Sequence, residues 1–327
     1  MPSVTSVLRG LRFGMRGRLR RWNRPAREPA LQSPLVATTF DVRSGDGTVV
    51  RGWRSDAEGV PLVISNGLGT VPSAWPALVR PDSGYRACSW YHRGTFGSDR
   101  PADPARIRVE DHVGDMLALM DSEGIDRALV ACWSIGVNIG FEFARRHPDR
   151  VAGLMAVAGV PGGTFGAMGA PWRIPSTLRR PIAVRVKKAL RTAGPVLTWL
   201  APRVPVNDRT AWVLTHSGLL TDAARPELLV PMLREFLPHD WTWYMHLAVA
   251  ASEHEGMDLS SIRCPTTLVA GRRDLLTSMQ DVVDAAARAP QAQVTVLPGT
   301  HFLPLEYPGL VHAALDELRR RSELVGP

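Results

Sequence analysis

The sequence predicts an α/β fold, a mostly parallel β-sheet with helices covering both of its faces. Three observations carry this. Short apolar runs alternate along the chain with stretches of helical spacing, and the connections between them are short. Of 327 residues, 45% are apolar and 21% charged, enough to bury a sizeable core. That apolar content, with no long charge block, excludes disorder as the main state. No run of about 18 consecutive apolar residues occurs, so no membrane-spanning helix is expected.

The elements follow in order. Residues 1–36 read as an N-terminal arm and linker. Val4, Leu8, Leu11, Met15, Leu19 and Trp22 recur at steps of three and four, the spacing of one helix face. Residues 1–27 hold eight arginines and no acid, which matches the formal charge of +8 and leaves the rest neutral. An apolar stripe flanked by arginine suits a helix lying on an anionic membrane surface. Packing of the same helix on the body, or a frayed arginine-rich tail, is the alternative. The neutral remainder carries no nucleic-acid footprint. Three cysteines, 88, 132 and 264, are too few and too scattered for a disulfide framework, and point to a reducing, cytoplasmic setting.

Thr38–Val42 and Thr48–Trp53 read as strands around Ser44-Gly45-Asp46-Gly47, a hairpin turn. Pro61–Ser65 and Arg86–Tyr91 are the next strands. Val109–Ser122 has helical spacing through Val113, Met116, Leu117 and Met120. Then come Ala128–Trp133 (strand), Gly136–Arg146 (helix) and Val151–Ala158 (strand). Late in the chain, Thr266–Ala270 and Gln293–Leu297 are strands, and Ser278–Ala289 and Pro308–Glu323 are helices. Residues 164–262 break the alternation. This stretch reads as helical and holds five of the ten tryptophans, so it forms a second structural unit inserted in the sheet.

Ser134, in Ala131-Cys132-Trp133-Ser134-Ile135-Gly136, stands between a strand and a helix. A tight turn there projects a hydroxyl above the sheet edge, and the helix N-terminus behind it offers amide donors to a developing oxyanion. A serine nucleophile needs a base, and the base needs an orienting acid. Nine histidines compete. His301 follows the strand Gln293–Leu297 on a loop at its carboxyl end, the rim to which Ser134 belongs. Asp274 follows Thr266–Ala270 at the same rim, with Asp258 and Glu255 as rival acids. The order Ser134, Asp274, His301 thus places three groups on three loops of one edge. Gly67-x-Gly69 after a strand is a weak dinucleotide signal, because Pro72 stands where the third glycine belongs.

By these residues the chain resembles the α/β-hydrolase superfamily over roughly residues 37–325. Arg93-Gly94-Thr95-Phe96-Gly97-Ser98-Asp99-Arg100-Pro101 is similar to the family's D-x-R-G-x-G-x-S-x-x-P stretch, with Tyr91 for Asp and the second glycine displaced by one. Asn66-Gly67-Leu68-Gly69 resembles its H-G-x oxyanion loop, with Asn66 for His, and Cys132 replaces the first glycine of G-x-S-x-G. The resemblance implies a core of residues 37–163 and 263–327, and a helical cap at 164–262, after the sixth strand. It also implies an oxyanion hole of the Leu68 and Ile135 backbone amides. Arg93 and Asp99 are expected to fix their loop by hydrogen bonds, and Cys132 to be a small buried residue.

The expected activity is ester hydrolysis through an acyl-enzyme, with no metal or cofactor required. Trp241, Trp243, Tyr244 and Met245 suggest a greasy pocket for an apolar, lipid-like ester. The same triad would serve an acyltransferase, thioesterase, lactonase or C–C bond hydrolase. A non-catalytic ligand-binding protein of this fold is the alternative of another class. Serine at the elbow disfavours epoxide hydrolases, which use a carboxylate nucleophile. The sequence leaves the oligomeric state open.

Overall fold

The structure is a computed structural model that describes residues 19–21, 37–162, 185, 186, 189, 192–254 and 256–325. Its strands are β1 (Leu19–Arg21), β2 (Ala37–Arg43), β3 (Val49–Ser55), β4 (Val60–Ser65), β5 (Tyr85–Trp90), β6 (Ala128–Trp133), β7 (Val151–Val157), β8 (Thr266–Gly271) and β9 (Ala292–Leu297). They form one sheet in the order β1-β9-β8-β7-β6-β4-β5-β3-β2. Only β3 runs against the others, pairing antiparallel with β2 and β5. The helices are α1 (Val109–Ser122), α2 (Gly136–Arg146), α3 (Asp208–His216), α4 (Pro226–Phe236), α5 (Trp241–Ser252), α6 (Met279–Arg288), α7 (Leu303–Glu306) and α8 (Pro308–Val325).

The central strands read as unbroken apolar runs because both of their faces are covered. Every residue of β6 and of β8 is buried. Val63, Val130, Cys132 and Leu154 share one core with α1, α2 and α6. Leu62, Ile64, Leu129, Ala131 and Met155 share another with Trp75, Leu78 and α8. This alternation along each strand is the period-two pattern of a sheet packed on two sides.

At one end of the sheet the structure departs from the helical reading of the arm. Leu19–Arg21 is a strand, pairing in parallel with Val294–Val296 of β9. The free edge of β9 offers unpaired backbone groups, and pairing there overrides a local helical spacing. The remaining arm positions, including most of residues 1–27, lie outside the described residues.

Between β7 and β8, α3, α4 and α5 are each started by a local device. Asn207 accepts hydrogen bonds from the amides of Arg209 and Thr210, and Asp240 from those of Thr242 and Trp243. Pro226 opens α4. Ala211, Leu220, Ala224 and Leu229 make a small apolar cluster with Leu305 of α7, so the inserted helices rest on the segment just past His301.

Arg93 knots the other side of the sheet. Its Nε and Nη2 donate to Asp115 of α1 at 2.9 and 2.7 Å, and its Nη1 donates to Asp46 of the β2–β3 turn at 2.6 Å. Asp99 contributes through its backbone: its carbonyl accepts from Gly94 and its amide donates to Val49. Beside this knot, burial and the neighbouring His112 push the His92 imidazole down to about 3. Histidine in an unfolded chain titrates near 6.5, so below about that pH the unfolded chain holds a proton that the folded chain lacks. Stability therefore falls as pH drops from about 6.5 toward 3. Urea midpoints of His92→Leu should fall less than those of the parent between about pH 7 and 5. Equal slopes would show that His92 does not contribute.

Candidate active site

The turn that carries Ser134 is built by crowding. Ser134 has φ of 55°, a left-handed conformation that costs a non-glycine residue about 1–2 kcal/mol. Its amide donates to Val157 O at 3.0 Å, and its carbonyl accepts from Val137 N at 3.0 Å. A Cβ at Gly136 would collide with the carbonyl oxygens of Ser65 and Asn66, so only glycine lets α2 start this close to β4. Ser65 Oγ then donates to Gly136 O at 2.9 Å.

Cys132, in place of the usual glycine, is accommodated from across the strand–helix contact. A Cβ at Gly140 would collide with Cys132 Sγ. The bulk added at the strand is removed at the helix. Gly140→Ala should therefore destabilise the fold by about 1–3 kcal/mol, and Cys132→Gly in the same chain should recover part of that loss. Additive losses in urea unfolding would contradict the pairing. Burial also pushes the Cys132 thiol well above its ordinary range, so it is no rival to the serine.

The three predicted groups converge. His301 Nε2 lies 2.8 Å from Ser134 Oγ, and His301 Nδ1 lies 2.9 Å from Asp274 Oδ2. The other oxygen of Asp274 accepts the amides of Leu276 and Thr277 at 2.7 and 2.8 Å, which fixes the carboxylate and leaves Oδ2 for the imidazole. Facing a carboxylate, the neutral ring carries its proton on Nδ1 and turns a lone pair on Nε2 toward the hydroxyl. Thr277 Oγ1 donates to Ala158 O, tying the acid loop to the end of β7. Asp258 instead caps a short 3-10 turn through Ser260, away from this relay; Glu255 lies outside the described residues.

Strands β4 and β6 are direct neighbours, with Ser65 opposite Cys132, so the loop after β4 reaches Ser134. Among the described residues, the amides of Leu68 and Ile135 make no hydrogen bond within the protein. Asn66, standing for the family's histidine, anchors this loop: its Nδ2 donates to Ser89 Oγ at 2.7 Å, and its Oδ1 accepts from Trp75 Nε1 at 2.8 Å.

The four pocket candidates part ways. Tyr244 reaches the loop after β4, its hydroxyl donating to Leu68 O at 3.2 Å. Its ring packs edge-on against Phe236, and both rings crowd Gly69. Trp243 is turned to the Arg93–Gly94 backbone: its Nε1 donates to Arg93 O at 2.8 Å, and Arg100 lies over its ring. Trp241 bonds back to Leu237 O, and Met245 is buried.

Two further residues support the relay. Trp133 Nε1 donates to His301 O at 2.9 Å, so the residue before the serine holds the histidine loop. Glu306, buried in α7, accepts from the Thr300 amide at 2.6 Å and from the Thr221 amide at 2.5 Å. It joins the inserted segment to the residue before His301. Phe236, outside the four pocket candidates, packs on Tyr244 beside Gly69. An acid inside Leu303-Pro304-Leu305-Glu306 is the kind of buried charge that sequence alone can flag, though not its partners.

A family model described as "alpha/beta hydrolase fold" matches residues 60–185, which include the loop after β4 and the turn at Ser134. The chain belongs to the α/β-hydrolase superfamily. It is 26% identical over 257 residues, 78% of its length and 88% of the relative's, to a protein of Caulobacter sp. (strain K31) named "Putative carbamate hydrolase RutD". It is 31% identical over 160 residues to epoxide hydrolase B of Mycobacterium tuberculosis; that match covers 47% of this chain and only 42% of the relative. Among solved structures, the enol-lactonase from Burkholderia xenovorans LB400 superposes with a TM-score of 0.65 at 21% identity, over 86% of this chain and all of that one. This last likeness shows the fold.

Proposed function

We propose that this α/β hydrolase is a serine hydrolase that cleaves a carboxylic ester of an apolar, lipid-like substrate through an acyl-enzyme. The observation that carries the reading is the relay in which His301 stands between Asp274 and Ser134 at hydrogen-bond distance on both sides. Ser134 Oγ attacks the ester carbonyl carbon and its proton passes to His301 Nε2, while Asp274 stabilises the imidazolium. The oxyanion is received by the Leu68 and Ile135 amides, each worth about 3 kcal/mol in comparable sites. The C–O bond to the alcohol breaks as His301 returns the proton to the leaving oxygen. Water then repeats the sequence, releasing the acid and restoring the serine.

The hydroxyl at the elbow separates this reading from an epoxide-opening one, which requires a carboxylate there. Carbamates and lactones, the substrates named in two of the similar proteins, present the same carbonyl chemistry. The helices between β7 and β8 serve as the cap in this reading, and Phe236 and Tyr244 form the wall beside the oxyanion loop. Hydrolysis of p-nitrophenyl esters of increasing chain length, run beside an aryl carbamate and a lactone, tests it. kcat/KM should rise with acyl length. A maximum at acetate would overturn the lipid-like substrate, and faster turnover of the carbamate or lactone would reassign the substrate class.

A further inference from the structure

The chain's neutral body hides a strong internal asymmetry. Residues 164–220 contain nine basic residues and one acid, Asp208; Arg185, Arg203 and Arg209 are the basic ones among the described residues. Within this stretch the described helical residues expose apolar side chains: Val196 is 62% exposed, Trp199 61% and Leu200 47%. Val196, Trp199, Leu200 and Arg203 follow one another at helical steps of three, one and three, so they share a face. The Arg203 guanidinium lies over the Trp199 ring, 4.3 Å from its centroid. In α3, Trp212 and Val213 are 60% and 56% exposed, three and four residues past the exposed Arg209.

We infer that these exposed groups of the inserted helices dock on an anionic lipid bilayer. Exposed tryptophan and aliphatic groups interleaved with arginine match the interfacial zone, where indole rings partition and cations meet anionic headgroups. A second copy apposed on the same groups would set Arg203 and Arg209 against like charges. The surface connects to the site: Thr198 Oγ1 accepts from the amide of Trp241 at 2.9 Å, and α5 carries Tyr244 to Leu68. The inference rests on exposed side chains and charge, independently of which ester the site cleaves.

Flotation of the full-length chain with vesicles tests it. One set is phosphatidylcholine alone and the other contains phosphatidylglycerol. The chain should float with the anionic set only, and less so as salt is raised. Trp199→Ser with Trp212→Ser should lower the partition at least tenfold. Arg203→Glu with Arg209→Glu should do the same, since each cation near an anionic surface is worth about fivefold. All four side chains are exposed, and unchanged circular dichroism checks that each variant folds. A full-length chain with Arg9, Arg12, Arg16 and Arg18 changed to glutamine separates the arm's contribution and should keep the tryptophan-dependent binding. Binding unaffected by either pair, or abolished by the arm variant alone, would overturn the inference. So would tryptophan-dependent self-association without flotation, which would assign the face to a second copy.

Discussion

Ser134→Ala should lower kcat/KM on a p-nitrophenyl ester by about 10⁴-fold or more, with folding unchanged. The expectation follows from the relay: without Oγ, His301 has no proton to accept and the carbonyl has no internal nucleophile. His301→Ala should cost about as much, and the double variant little more, because groups that act as a unit lose their effect together. Losses that multiply would show that the two act separately. Alanine also suits the turn, since the strained φ of 55° is held by the bonds to Val157 and Val137 and not by the hydroxyl. A thermal midpoint within a few degrees of the parent would separate lost chemistry from lost structure.

Arg93→Ala should be the most damaging substitution for stability, by about 3–5 kcal/mol in urea unfolding. The Arg93 side chain is 2% exposed and that of Asp115 is fully buried. Removing the guanidinium leaves a buried carboxylate facing only His112, and leaves Asp46 of the hairpin turn with only the exposed Arg106 and the Thr48 amide. Arg93→Lys should recover only part of the loss, because an ammonium cannot donate in a fork to both carboxylates. Burial alone raises the Asp115 carboxyl. Hydrogen bonds from His112 and Arg93, with their charges, outweigh it and hold the group far below the usual carboxylate range. A carboxyl depressed in the folded state adds stability above its unfolded value near 4 and loses it as pH falls further. Without Arg93 that advantage shrinks, so acid unfolding of the variant should begin at higher pH. A loss under about 1 kcal/mol would mean that the knot is incidental.

The sheet and its helices were largely legible because burial on both faces writes itself as apolar runs. The spans expected for α1, β6 and α2 match the structure residue for residue. The convergence of Ser134, Asp274 and His301 was legible for a topological reason, since parallel strands deliver the loops at their carboxyl ends to one rim. What escaped depends on partners distant in sequence. Glu306 meets Thr221 across 85 positions, and Trp133 meets His301 across 168. Strand β1 forms only because β9 offers an edge, so helical spacing misled there. The fit of Cys132 against Gly140 lies between: the departure is visible in the sequence, while its compensation appears only when α2 crosses β6.

In the proposed reaction His301 activates the Ser134 hydroxyl, which forms the covalent intermediate. Reaction with a fluorophosphonate, followed by peptide mass spectrometry, tests this most directly. One adduct per chain should appear on Ser134, vanish in Ser134→Ala and slow sharply in His301→Ala. An adduct elsewhere, or labelling that persists without Ser134, would contradict the account.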